Sequence, residues 1–289
     1  MKKGILLIFT LLCFTFSFAQ EKVKDTTYWT KKGKVTFLLN QSAFSNWVAG
    51  GESTIAGNLG VNYAFNYKKD KVLWNNRIIA SYGLTNSKNS DFTKKTDDIL
   101  EFNSLVGIKA KGYWFYSFLL NFKTQFAKGY EYGKDANGKE TRTAYTNFMS
   151  PGYLLLGPGI LWEKNPNFKF NLSPIMTKFV FVDKNFTLPN NAYFGVDEGK
   201  SMRFELGFSA AAYAKFNIME NVSMENILAL YSNYLEDPQN IDIDYTMNLV
   251  MGINKYLSAN LIFQTIYDDN AYEGFQIREV FGLGINYDF

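Results

Sequence analysis

The sequence contains no histidine. That removes the commonest general base, and with it Ser–His hydrolysis and imidazole-bound zinc. The groups left for chemistry are carboxylates, amines and guanidinium. Many of them sit in segments where polar and apolar residues alternate. Read as β-strands, these segments place Arg77, Glu101, Lys109, Lys111, Lys123, Arg203, Glu205, Lys215, Glu225, Asp242 and Asp244 on one common face. If the strands close into a barrel, that face is the lumen. The charges would then pair to stabilise a polar interior, or form a constriction that selects solutes by charge. A tight hairpin centred on Gly112 sets Glu101 directly opposite Lys123, which predicts a cross-strand ion pair with Arg77 on the adjacent strand.

Two further groups could bind something. Glu236, Asp237, Asp242, Asp244, Asp268 and Asp269 gather toward one end of three neighbouring strands. Clustered carboxylates suit a hard cation such as calcium, although the spacing matches no defined calcium loop and acids are ordinary in exposed loops. The stretch from Asn40 to Ser53 concentrates amides and hydroxyls around Trp47, Gly50, Gly51 and Glu52. It reads either as a hairpin loop in which the glycines supply positive φ, or as a loop that docks a ligand with Trp47 as anchor. The candidate binding residues are therefore Trp47, Glu52, Arg77, Glu101, Lys123, Arg203, Asp242 and Asp244. There is no Walker loop, Rossmann glycine pattern or nucleophile elbow, so neither enzymatic activity nor a cofactor is expected.

The elements that must hold these residues are strands. In the last segment Phe281, Leu283, Ile285, Tyr287 and Phe289 oppose Gly282, Gly284, Asn286 and Asp288. The stretch Ile241 to Asn254 repeats the pattern. Twelve strands are predicted, at 33–43, 53–68, 72–85, 97–111, 113–127, 152–163, 168–182, 201–216, 222–235, 241–254, 257–267 and 277–289. Most exceed the ~9–11 residues that a tilted membrane strand needs. Pro174 interrupts one strand, and Gly157-Pro158-Gly159 predicts a bulge or kink in another. Short turns alternate with longer connections at 44–52, 86–96, 128–151, 183–200, 236–240 and 268–276. That rhythm is the one expected of an outer-membrane barrel, with short periplasmic turns and longer outer loops.

The start of the chain reads as an export leader. Lys2 and Lys3 precede an apolar run from Ile5 to Phe18, and Ser17-Phe18-Ala19 supplies a small-x-small cleavage site. Cleavage after Ala19 removes Cys13, the one cysteine. It also removes two of the 30 basic residues, leaving 28 against 27 acidic, with no net field toward nucleic acid. Residues 20–32 are polar and read as a flexible periplasmic segment preceding a barrel over 33–289. The apolar face is the larger and more aromatic one, and the opposite face holds glycine, asparagine and charge. A soluble sandwich would have to bury that second face as its core. A transmembrane, antiparallel up-and-down barrel presents the apolar face to the lipid bilayer instead.

The Asn40-Gln41 pair followed by Phe44-Ser45-Asn46-Trp47-x-Ala49-Gly50-Gly51-Glu52 resembles a family of Bacteroidota outer-membrane barrels catalogued as a domain of unknown function. The resemblance implies location and fold and brings no activity. From the residues, the first expectation is a narrow channel or transporter for a small solute. The alternative is a plugged barrel serving as a structural or assembly component of an envelope complex, its protein partners unidentified.

Overall fold

The computed structural model describes residues 28–45, 51–187 and 193–289. The predicted export leader and Trp47 lie outside those residues. The strands are β1 (Trp29–Ser42), β2 (Thr54–Lys69), β3 (Val72–Ser87), β4 (Lys94–Lys111), β5 (Trp114–Thr124), β6 (Gly129–Lys134) and β7 (Glu140–Thr146). They continue with β8 (Gly152–Asn165), β9 (Phe168–Phe181), β10 (Met202–Met219), β11 (Val222–Asn233), β12 (Asp242–Gly252), β13 (Leu257–Asp268) and β14 (Tyr272–Asp288). Twelve of them close into one antiparallel barrel, in which β1 meets both β2 and β14; β6 and β7 form a separate hairpin. Among the described residues there is no α-helix, only a short 3-10 turn at Lys184–Phe186.

Period-two alternation sets the two faces. On β14, Ile277, Phe281, Leu283, Ile285 and Tyr287 point outward and are each more than half exposed. On β5, Tyr116 is 68% exposed and Phe115, one residue earlier, is 8% exposed. So much bare aromatic and aliphatic surface around a closed wall is the exterior of a membrane-spanning barrel. Aromatic rings crowd the rim that carries the termini: Trp29 packs on Tyr67 and Trp74, and Trp162 on Phe168 and Phe170. Such rings sit where membrane meets water.

The seam between β1 and β14 begins at Gly33 and Phe289, whose backbones bond each other in both directions at 2.7 and 2.9 Å. The Phe289 ring occupies the space where a Cβ on residue 33 would stand, and it stacks on Tyr63 at 6.1 Å. The terminal aromatic is thus packed on the glycine that leaves room for it.

The strands match the predicted segments closely, with three differences. β1 starts at Trp29, so residues 29–32 belong to the barrel wall and not to a flexible segment. The expected loop 128–151 contains the β6–β7 hairpin. The expected long connection 268–276 is a tight turn, because β13 runs to Asp268 and β14 starts at Tyr272. The alternation of short and long connections therefore fails at its last member. The Gly-Pro-Gly segment does mark an irregularity. The β8–β9 register shifts between Leu156 and Ile160, opposite Pro174. A Cβ at Gly159 would lie 2.6 Å from the Leu172 carbonyl oxygen, so the two backbones approach too closely for a side chain there.

Candidate functional site: the charged lumen

Strand parity brings the predicted charges inside. The register places Glu101 directly opposite Lys123, as the hairpin at Gly112 predicts, and it also sets Lys215 opposite Glu225. The expected Glu101–Lys123 ion pair does not form. Lys123 reaches across the lumen from β5 to Asp244 on β12, with 2.7 Å between Nζ and Oδ2. Glu101 instead accepts from the side-chain amides of Asn103 at 2.8 Å and Asn121 at 2.7 Å. The reason is reach. A lysine stem long enough to cross the lumen gains a carboxylate that has no other cation, while two asparagines already satisfy its cross-strand neighbour.

Arg77 behaves similarly. Its Nη2 lies 3.2 Å from Glu225 Oε1, and its Nε donates to Asn62 at 2.9 Å. In the ring order β11 is the sixth strand on from β3, so this pair joins opposite walls of a twelve-stranded barrel. Glu225 also accepts from the Tyr213 hydroxyl at 2.7 Å and the Asn248 amide at 2.9 Å. Asp244 accepts a second bond from Gln264 at 2.9 Å. These carboxylates are therefore fully partnered, as charges withdrawn from bulk water must be.

Nearer the loop rim, Lys178 bridges Asp242 at 3.0 Å and Glu205 at 3.4 Å. Arg203 holds Glu205 through Nε at 3.0 Å and Glu236 through Nη2 at 2.8 Å. It also donates to the Gly195 carbonyl and to Asn270, tying the 182–201 loop to the β13–β14 turn. Arg278 on β14 reaches Asp97 on β4 at 2.7 Å, and Asp97 accepts from Asn58 and Ser81.

One apolar cluster lies toward each end of the barrel. Inward-facing Leu73, Phe115 and Leu161, with Leu105 beside them, pack together toward the rim of the termini. At the loop rim Val180 and Val182 of the wall are covered by Tyr193 and Val196 from the 182–201 loop. Also at the loop rim, Arg203, Glu205, Glu236, Asp242 and Asn270 line a cavity of about 30 Å³, room for about one water molecule.

Of the six acids expected at one mouth, the structure gathers three: carboxylate oxygens of Asp242, Asp268 and Asp269 lie within 4.8 Å of one another. Lys178 already neutralises Asp242, and the Asn240 amide donates to Asp269 at 2.6 Å. Glu236 and Asp244 pair with cations elsewhere. Glu52 is not in the lumen. It accepts from the Asn89 amide at 3.1 Å and joins the β1–β2 loop to the β3–β4 loop. Lys109 and Lys111 stand exposed at the rim of the termini. Asp97, Lys178 and Arg278 are missing from the sequence-based set. Parity with Glu101 and Gly282 points Asp97 and Arg278 inward, but the Pro174 irregularity hides the phase of Lys178.

Lipid-facing exterior, closed wall and ion pairs across a polar interior define a membrane β-barrel. The model of a family described as "Protein of unknown function (DUF3078)" matches residues 39–130, a span that includes the Asn40–Ser53 stretch. No curated protein matches the sequence. Among solved structures the chain is similar to the translocator domain of autotransporter NalP from Neisseria meningitidis, at 7% identity over 99% of this chain and 96% of that one, with a TM-score of 0.40. It is also similar to the COG4313 outer membrane channel from Pseudomonas putida F1, at 10% identity over 92% and 99%, with a TM-score of 0.40.

Proposed function

We propose that this chain is an exported outer-membrane barrel whose lumen is closed at rest, and that it serves as a structural or assembly component of a Bacteroidota cell envelope. The Arg77–Glu225 pair carries this reading. An ion pair between opposite walls obstructs the path that a solute would take. The Lys123–Asp244 and Arg278–Asp97 pairs add two further crossings. Residues 1–19 would direct export. The test is conductance of the full-length, refolded protein in a planar bilayer, with folding verified by heat-modifiable gel migration. A silent bilayer is expected. Steady single-channel steps from the unmodified protein would overturn the closed-lumen reading.

A gated channel for a small solute is the second reading, and one observation favours it. At mid-height, among the described residues, side chains of the wall itself cross the lumen. Side chains can part without unfolding a plug. That reading expects conductance to appear when Arg77 and Lys123 are both replaced by alanine, with the current responding to the charge at residue 244.

A further inference from the structure

Charges in the lumen are paired at mid-height but not at the rim of the termini. Residues directly opposite on neighbouring strands share a face. By that rule six lysines near this rim face inward. Lys34 on β1 stands opposite Asn62, which holds Arg77, and Lys32 stands opposite Ala64, itself opposite Arg77. Lys68 on β2 and Lys109 on β4 stand opposite Leu73 and Phe115 of the inward apolar cluster. Lys169 on β9 lies opposite Tyr213, and Lys215 on β10 lies opposite Glu225.

None of the six forms an ion pair among the described residues. The inward acids near them are fewer. Glu163 lies opposite Lys169, and Asp288 lies opposite Lys34 with the terminal carboxylate of Phe289 beside it. Glu225, opposite Lys215, is already held by Arg77 at 3.2 Å. Residues 1–27, 46–50 and 188–192 cannot supply the missing charge. The first of these segments holds Lys2, Lys3, Lys22 and Lys24 against Glu21 and Asp25, and the other two hold no charged residue. The surplus therefore belongs to the whole chain, and it leaves this mouth of the barrel positive.

The arrangement of the lysines says what they suit. Arg77, Arg203 and Arg278 each grip a carboxylate within the lumen. The mouth uses lysine, a hydrated point charge on a flexible stem, where arginine would fix one planar anion in its fork. The six come from β1, β2, β4, β9 and β10, and β9 is the sixth strand on from β1 in the ring. Ammonium groups on opposite walls do not converge on one small anion. They face the lumen and not lipid, so bilayer headgroups do not meet them. Charge spread around an opening steers an extended polyanion toward it. A polypeptide segment rich in aspartate and glutamate has that form, with carboxylates spaced along a chain that spans the mouth.

We propose that the mouth at the rim of the termini docks an extended acidic polypeptide segment, which the lysines of the inner wall hold by charge. This rests on the membrane-spanning reading but not on the closed lumen, so a conducting barrel would leave it standing. In the outer-membrane reading the short turns of this rim face the periplasm, and the partner is a periplasmic protein.

Fluorescence anisotropy tests it, with the full chain folded in zwitterionic detergent and a short labelled oligoglutamate peptide as probe. Folding of each variant is verified by heat-modifiable gel migration. The inner set replaces Lys32, Lys109, Lys169 and Lys215 with glutamine. The outer set replaces Lys31, Lys69, Lys164 and Lys255, which lie at the same rim on the outer face or in turns, and so removes the same net charge. The unmodified barrel is expected to bind the peptide. The inner set should raise the dissociation constant by about sixteenfold, from about twofold for each exposed charge pair. Arginine at the same four inner positions should retain binding, and the outer set should change it by about twofold or less. An unmodified barrel that binds no oligoglutamate would overturn the proposal. Equal losses from the inner and outer sets would remove the mouth as the site. Displacement of the peptide by pyrophosphate at an equal concentration of charge would replace the extended partner with a small anion.

Discussion

Arg77 and Glu225 stand on opposite walls of the barrel, and their side chains meet at 3.2 Å. Their side chains are 23% and 14% exposed, so water screens the pair only partly. Removing one member leaves a charge that has lost its counter-ion. Glu225→Ala or Arg77→Ala should therefore cost about 3 kcal/mol, the lower end of the range for a broken buried pair. Exchanging the two residues should recover part of that loss, because the reversed pair retains its Coulomb attraction. Urea unfolding of the vesicle-inserted barrel, followed as a double-mutant cycle, measures the coupling. Additive single effects would mean that the pair contributes nothing beyond its separate hydrogen bonds.

The seam makes a second expectation. β1 and β14 hold each other along a short register, and Phe289 reinforces its lower end by packing over Gly33 and stacking on Tyr63 and Tyr287. Phe289→Ala removes that cover and two ring contacts. It should lower stability by about 1 kcal/mol, in line with aromatic pairs on a half-exposed surface. Gly33→Val should do more damage, because its side chain must displace the ring. Band-shift folding assays in lipid should show slower closure for both variants. An unchanged rate for Gly33→Val would show that Phe289 does not pack there.

A pH dependence is expected at the outer hairpin. The Ser90 hydroxyl donates to Glu140 at 2.9 Å, the Asp91 amide at 2.8 Å and Lys94 Nζ at 3.3 Å. These partners, the Ser90 bond foremost, hold the Glu140 carboxyl below its ordinary range. A depressed folded-state pKa stabilises above the unfolded value and loses that contribution as pH falls through the folded value. The β6–β7 hairpin should thus stay docked on the 88–93 loop at neutral pH and loosen in acid below about pH 4. Hydrogen exchange of residues 129–146 across that window measures the loosening. Glu140→Gln should remove the pH dependence, and a wild-type profile in that variant would assign the transition to other groups.

Much of the barrel was legible in the chain. Alternation over long segments fixes which face each residue occupies, because a strand's side-chain period is two. That is why the wall strands, the inward set from Arg77 to Asp244 and the lipid-facing aromatics could be read from spacing alone. Gly157-Pro158-Gly159 was legible as well, since few other residues allow so close a backbone approach. Parity fails where register slips. Pro174 shifts the phase of β9, and Lys178, which binds both Asp242 and Glu205, was missed for that reason.

Strand pattern, polar inward face and apolar exterior can all be read along the chain, because period and residue type are local properties. Which charges pair is set by distances across the closed wall. Lys123 takes Asp244 across the lumen and not Glu101 beside it, and that choice depends on how near the closed wall brings distant strands. The short β1–β14 register has the same origin: it follows from how the wall closes, and no local pattern encodes it.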